Sequence, residues 1–110
     1  MDTSSESPRH VRVDPEIADL VPFFLESREA EVPKLRQALA DDDLVTIEDL
    51  GHGMKGMGSA FGFDPVSRIG IELERLGGEG EGASREEIAK LIDELEAYLE
   101  RVEWSVDREA

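Results

Sequence analysis

Cysteine is absent from this sequence, which excludes disulfides, a thiol nucleophile and any thiolate metal site. Basic residues are few: 12 Lys and Arg stand against 27 Asp and Glu, a formal net charge of −15. Nucleic-acid binding draws its affinity from cations laid against phosphates, so this balance argues against it. An anionic membrane surface is disfavoured for the same reason. No run approaches the ~20 apolar residues that span a bilayer. The opening segment, MDTSSESPRH, lacks the apolar stretch of a secretory signal. No G-x-x-x-x-G-K-S/T phosphate loop is present, so ATP-dependent autophosphorylation is not expected. What remains is the expectation of a small, acidic, cytoplasmic protein. The 110 residues make one domain, and 39% apolar residues with ten glycines suffice for a core.

Residues 1–13 are polar and aperiodic and are expected to form a mobile tail. That tail carries His10, for which no functional role is expected. Asp14-Pro15-Glu16 reads as a helix start, an N-cap acid followed by Pro at the first helical position. Ile17, Leu20, Val21 and Phe24 continue it. Pro22 is expected to split it into a short helix and a longer one through Leu39, kinked at Pro33. Asp41-Asp42-Asp43 ends that helix and caps the next, predicted from Leu44 to Phe61 or Gly62. Asp64-Pro65 repeats the cap-plus-Pro signal and opens a helix through Val66, Ile69, Leu73 and Leu76 that ends at Gly77-Gly78. GGEGEG, residues 77–82, reads as a flexible linker. Ser84 with Glu87 forms a capping box. Ile88, Leu91, Ile92, Leu95, Leu99 and Val102 then make the stripe of a last helix that fades near Trp104. Residues 106–110 read as a C-terminal tail. No segment alternates as a strand does. The chain therefore reads as all-α: an up-and-down four-helix bundle over residues 14–105 with a short extra N-terminal helix.

All ten glycines lie between residues 51 and 82. Gly51, Gly53, Gly56 and Gly58 fall inside the helix that starts at Leu44. Each costs ~0.5–1 kcal/mol relative to Ala, so the four cost about 2–4 kcal/mol, a large share of a domain's stability. A loop would remove that cost. Against a loop, Ile47, Leu50, Met54, Met57 and Phe61 recur at spacings of three and four, the seam of a helix. On a wheel of about 100° per residue with His52 at zero, this seam lies within roughly 40° of the opposite pole. Lys55, Gly56 and Ser59 lie within about 60° of His52. His52 is thus expected to face solvent beside Lys55. Helical side chains lean toward the N-terminus, so a side chain at position 56 would cover the ring, and Gly56 leaves it open to a large partner.

An exposed imidazole with a cation in reach and a cleared surface suits a nucleophile that attacks phosphorus. Lys55 would meet the phosphoryl oxygens as a point charge. A metal site has poor ligand stock, with one structured His and no Cys, although acids are plentiful. A Ser-His-Asp hydrolase fits worse, because Ser59 is two turns away and nothing suggests an oxyanion hole. A lone exposed His is often plain surface, but plain surface needs no costly clearance.

His52-Gly53-Met54-Lys55-Gly56, followed by Gly62, resembles the HxxKG…G pattern of histidine-containing phosphotransfer (HPt) domains. FFLESREAEVPKLRQALADDD resembles the family's second helix and acidic turn, and GFDPVSRIGIELE resembles the segment after the motif. The resemblance covers about residues 14–104. It implies a four-helix bundle that carries a phosphoryl group on the motif histidine, taking it from one receiver-domain aspartate and passing it to another. Carried over by position, His52 is the phosphoryl acceptor, Lys55 stabilises the group and Gly56 gives access. The implied partners are response-regulator receiver domains and a hybrid histidine kinase. They are met by a monomer through apolar surface near the histidine. No cofactor is implied for this chain; Mg²⁺ comes with the receiver. The implied role is a carrier rather than a stand-alone enzyme, and the alternative is a docking or regulatory bundle that works without phosphorylation. The sequence departs from the commoner pattern at Met57 and Gly58, where the family is often small and polar. It also places Glu48 and Asp49 a turn before His52. Glu48, at i−4, is expected to hold one ring nitrogen, or else to belong to a solvated acidic face along with Asp49.

Overall fold

Two caps written in the sequence set two helix starts. In the computed structural model, which describes residues 10–108, the Asp43 carboxylate accepts from the Thr46 backbone N–H at 3.1 Å and opens α2, Leu44–Phe61. The Ser84 hydroxyl accepts from the Glu87 N–H at 3.1 Å and opens α4, Arg85–Arg101. Both satisfy amides that a helix start leaves orphaned. Gly62 ends α2 in the left-handed conformation, φ 88°, which a residue with a Cβ adopts at a cost.

The other proline-marked starts shift slightly. Asp14 accepts from the Glu16 N–H at 2.8 Å within a turn and does not cap a helix. The expected short N-terminal helix is a single 3-10 turn, Ala18–Leu20. α1 spans Val21–Ala40, with Pro22 inside its first turn, where no N–H is needed. It runs on through Pro33. α3 spans Asp64–Gly78, so Asp64 is its first residue rather than its cap.

Each helix packs on the next in sequence, and α4 closes back on α1, which is the up-and-down arrangement expected. The core is built from Val21, Phe24 and Leu35 of α1, Ile47 and Met54 of α2, Ile69 and Leu73 of α3, and Ile92 and Leu95 of α4. Phe24 stacks on Phe61 with ring centroids 4.6 Å apart, which sets the start of α1 beside the end of α2. Among the described residues no helix is long and apolar enough to cross a membrane.

Three expectations are corrected. First, strands exist: β1 (His10–Val13) and β2 (Glu103–Val106) pair in parallel, with His10 opposite Glu103 and Val13 opposite Val106. Four residues give too little alternation to register as a pattern, and the pairing joins opposite ends of the chain. Val11 and Val13 are buried, so residues 10–13 belong to the folded body rather than to a tail. Val106 likewise lies in β2 rather than in the tail. The rest of the expected N-terminal tail, residues 1–9, and residues 109–110 lie outside the described residues. Second, residues 77–82 are not a free linker. Gly77 is buried in the last turn of α3, and Gly80–Gly82 form a 3-10 turn. Third, the glycines inside α2 are of two kinds.

α2 and α3 are the most closely packed pair of helices, and glycine is the reason. A Cβ at Gly51 would lie 2.5 Å from the Glu74 backbone nitrogen, and one at Gly70 would lie 2.6 Å from that of Lys55. Gly58 and Gly77 meet the facing backbone in the same way. These four glycines let two backbones touch. Gly53 and Gly56, in contrast, have nothing within 4 Å of a Cβ.

Candidate functional site

The glycine interface turns the buried stripe of α2 toward α3. Leu44, Ile47, Gly51, Met54 and Gly58 are buried along it. Met57, assigned by spacing to the seam, is left at the margin and is 42% exposed. On the opposite side the His52 side chain is 70% exposed, as the helical period requires.

The close approach of α3 brings one carboxylate to this surface. Glu74 Oε2 lies 2.8 Å from His52 Nδ1, and Glu74 Oε1 lies 2.7 Å from Lys55 Nζ. The Ser67 hydroxyl donates to the Lys55 carbonyl at 2.7 Å, tying the two helices together beside the site. The Lys55 ammonium first, and the His52 bond second, hold the Glu74 carboxyl below the usual glutamate range. Glu74 is therefore a carboxylate at neutral pH and only accepts hydrogen bonds. A carboxylate partner requires a proton on Nδ1, so in the neutral ring the lone pair lies on Nε2. Lys55 is anchored one turn from the ring and remains 40% exposed.

Reading the sequence missed Glu74. It lies 22 residues from His52 on another helix and is one of 27 acids, with nothing local to single it out. The expectation that Glu48 holds a ring nitrogen is overturned, because Glu74 fills that place. The Glu48 side chain is directed to another part of α3. Its carboxylate lies along the end of that helix, where a Cβ at Gly78 would be 3.1 Å from Glu48 Oε2. Asp49 is exposed on α2. Gly56 leaves open space beside the ring, and Ser59 is exposed two turns on. His10 is far off in sequence, in β1, with Nε2 3.0 Å from the Ser105 hydroxyl. Among the described residues no group of three His, Asp or Glu side chains is placed to share a metal ion.

A family model described as Hpt domain matches residues 19–103, from the turn before α1 to the start of β2. No curated protein and no solved structure gives a match. The matched span takes in the whole helical bundle, and with it the chain belongs to the Hpt domain family.

Proposed function

We propose that this chain is a phosphorelay carrier, with His52 taking a phosphoryl group from the aspartyl phosphate of one receiver domain and passing it to the aspartate of another. The observation that carries this reading is the His52 ring itself, exposed on the middle of α2 with one nitrogen held by Glu74 and the other bare.

The chemistry follows from that geometry. The Nε2 lone pair attacks phosphorus; an N–P bond forms as the acyl P–O bond breaks, and the electron pair leaves with the receiver's carboxylate. The ring gains a positive charge, and its Nδ1 proton stays against Glu74, whose negative charge offsets it. Lys55 swings from Glu74 Oε1 to meet the phosphoryl oxygens. Gly56 admits the receiver. The second transfer runs these steps in reverse onto another aspartate. Mg²⁺ and most of the electrostatic stabilisation come with the receiver, and this chain supplies the nucleophile and its setting. Among the described residues the exposed large apolar side chains are Leu20, Phe23, Val45, Met57 and Ile71. All lie at the start of α1, on α2 or on α3, and none on α4, which supports docking on the His52 side. A receiver domain, free or attached to a hybrid histidine kinase, is the partner this surface suits.

The test is to mix the protein with a phosphorylated receiver and map the label. An acid-labile, base-stable phosphoryl group on the peptide containing His52 is expected. No label from any receiver of the same cell would favour a docking bundle that works without phosphorylation.

A Glu74→Gln variant keeps an acceptor near Nδ1 but loses the charge that balances the ring and anchors Lys55. Its rate of receiver-to-His52 transfer is expected to fall about 3- to 10-fold, as befits one weakened charged hydrogen bond. Because the Glu74 carboxyl is held below the usual glutamate range, the bridge contributes fully above that range. It is lost only as pH falls through the lowered value. The bridge is therefore intact throughout the neutral range, and the rate difference between wild type and variant should persist across it. Equal rates across that range would remove Glu74 from the mechanism.

A further inference from the structure

Packing accounts for two of the glycines inside α2 and leaves two without a structural cause. Gly51 and Gly58 face the backbone of α3, whereas a Cβ at Gly53 or Gly56 would meet nothing within 4 Å. Gly56 already has its part in the carrier reading. Gly53 does not. It is exposed, lies in mid-helix and is not among the glycines of positive φ, Gly62 and Gly80. An alanine would fit there and strengthen α2. A glycine that weakens a helix with no packing or backbone reason calls for another reason.

Its surroundings supply one. Gly53 lies about 100° round the helix from His52, on the side away from Glu74. Met57 stands one turn further along the same row and is exposed. One turn beyond Met57, Phe61 stacks on Phe24, which brings the start of α1 to this end of α2. Leu20 and Phe23 are exposed there, Phe23 by 71%. Between the His52 ring and this apolar end, the surface of α2 is bare backbone at positions 53 and 56.

We propose that Gly53 is a partner-positioning residue of the carrier, one that seats the docked receiver. A receiver domain lies flat against the α2 backbone at this position, which lets it reach His52 and the apolar end at Leu20, Phe23 and Met57 in one docking. This inference rests on the carrier reading. A side chain at position 53 lifts a docked protein off α2, and transfer between positioned groups tolerates displacements of only about 1 Å. A small donor needs no docking and is indifferent to such a side chain, because the ring is exposed.

The experiment compares two donors on the wild type, Gly53→Ala and Gly53→Leu. Potassium phosphoramidate is the small donor, and a phosphorylated receiver is the protein donor. Phosphoramidate is expected to label all three chains at rates within about 2-fold, because the ring and its Glu74 bond are unchanged. Transfer from the receiver is expected to slow about 5-fold in Gly53→Ala and more than about 50-fold in Gly53→Leu. The Ala variant should also melt about 3–6 °C higher, which excludes misfolding as the cause. Receiver transfer at the wild-type rate in Gly53→Leu overturns the inference alone. So does phosphoramidate labelling that falls in step with receiver transfer. A wild type that takes label from neither donor overturns the carrier reading, and this inference with it.

Discussion

Replacing His52 with Gln is expected to abolish phosphoryl uptake while leaving the fold's stability nearly unchanged. The two halves of this expectation have separate physical grounds. The ring is 70% exposed, and its Nδ1 is hydrogen-bonded to Glu74 on the neighbouring helix. Exposed substitutions of this kind shift stability by no more than about 0.5 kcal/mol, or about 2–4 °C in the midpoint for a chain of this size. Chemically the change is total. The glutamine amide nitrogen has its lone pair delocalised into the carbonyl and cannot attack phosphorus. Uptake should therefore fall below detection with both a receiver and a small phosphoryl donor, while the melting midpoint stays within about 2–4 °C of the parent's. The only other histidine is His10 in β1. Label persisting in His52→Gln and mapping to His10 or to an acid would show that the phosphoacceptor has been misplaced.

A Gly70→Ala substitution is expected to be strongly destabilising. Its Cβ would lie 2.6 Å from the Lys55 nitrogen, 2.7 Å from the Gly51 carbonyl oxygen and 2.7 Å from the Met54 Cβ. Two of these are backbone atoms of α2, which no rotamer change moves, so the helices must separate. Overpacking of this kind costs about 1–3 kcal/mol or more, against a helix-propensity gain of at most ~1 kcal/mol. A net loss of about 2 kcal/mol, read as a midpoint lowered by about 8–15 °C, is expected. The same chemical change at Gly56 meets nothing and should stabilise by about 0.5–1 kcal/mol. Opposite signs for one substitution at two glycines would establish the division between packing and exposed positions. Separating α2 from α3 also draws Glu74 away from His52 and Lys55, so Gly70→Ala should slow phosphotransfer even where it remains folded. A Gly70→Ala chain that melts with the parent would show that α2 and α3 do not touch in this way.

Several features were legible in the chain because their causes are local. Asp43 and Ser84 cap helices through bonds to residues three positions on. Gly62 closes α2 through its own backbone freedom. His52 faces solvent because a helix of 3.6 residues per turn places it opposite Ile47 and Met54. These bonds and periods are fixed by near neighbours, so the sequence of those neighbours specifies them. The strands β1 and β2 were not legible, since each is four residues long and each needs the other across the whole chain. Met57 was misplaced because spacing gives an angle around a helix but not which neighbour fills that side. The flexible linker read at residues 77–82 failed for a related reason, as glycine serves tight packing and loose chain equally well.

The four helices, the outward face of His52 and Lys55 and the family pattern around them are all written along the chain. Only the packing of α2 on α3 brings Glu74 to the site and sorts the glycines, with Gly51, Gly58, Gly70 and Gly77 at the contact and Gly53 and Gly56 bare. The cause is the distance between α2 and α3. It is set by side chains on both helices at once, so no local pattern on either one encodes it.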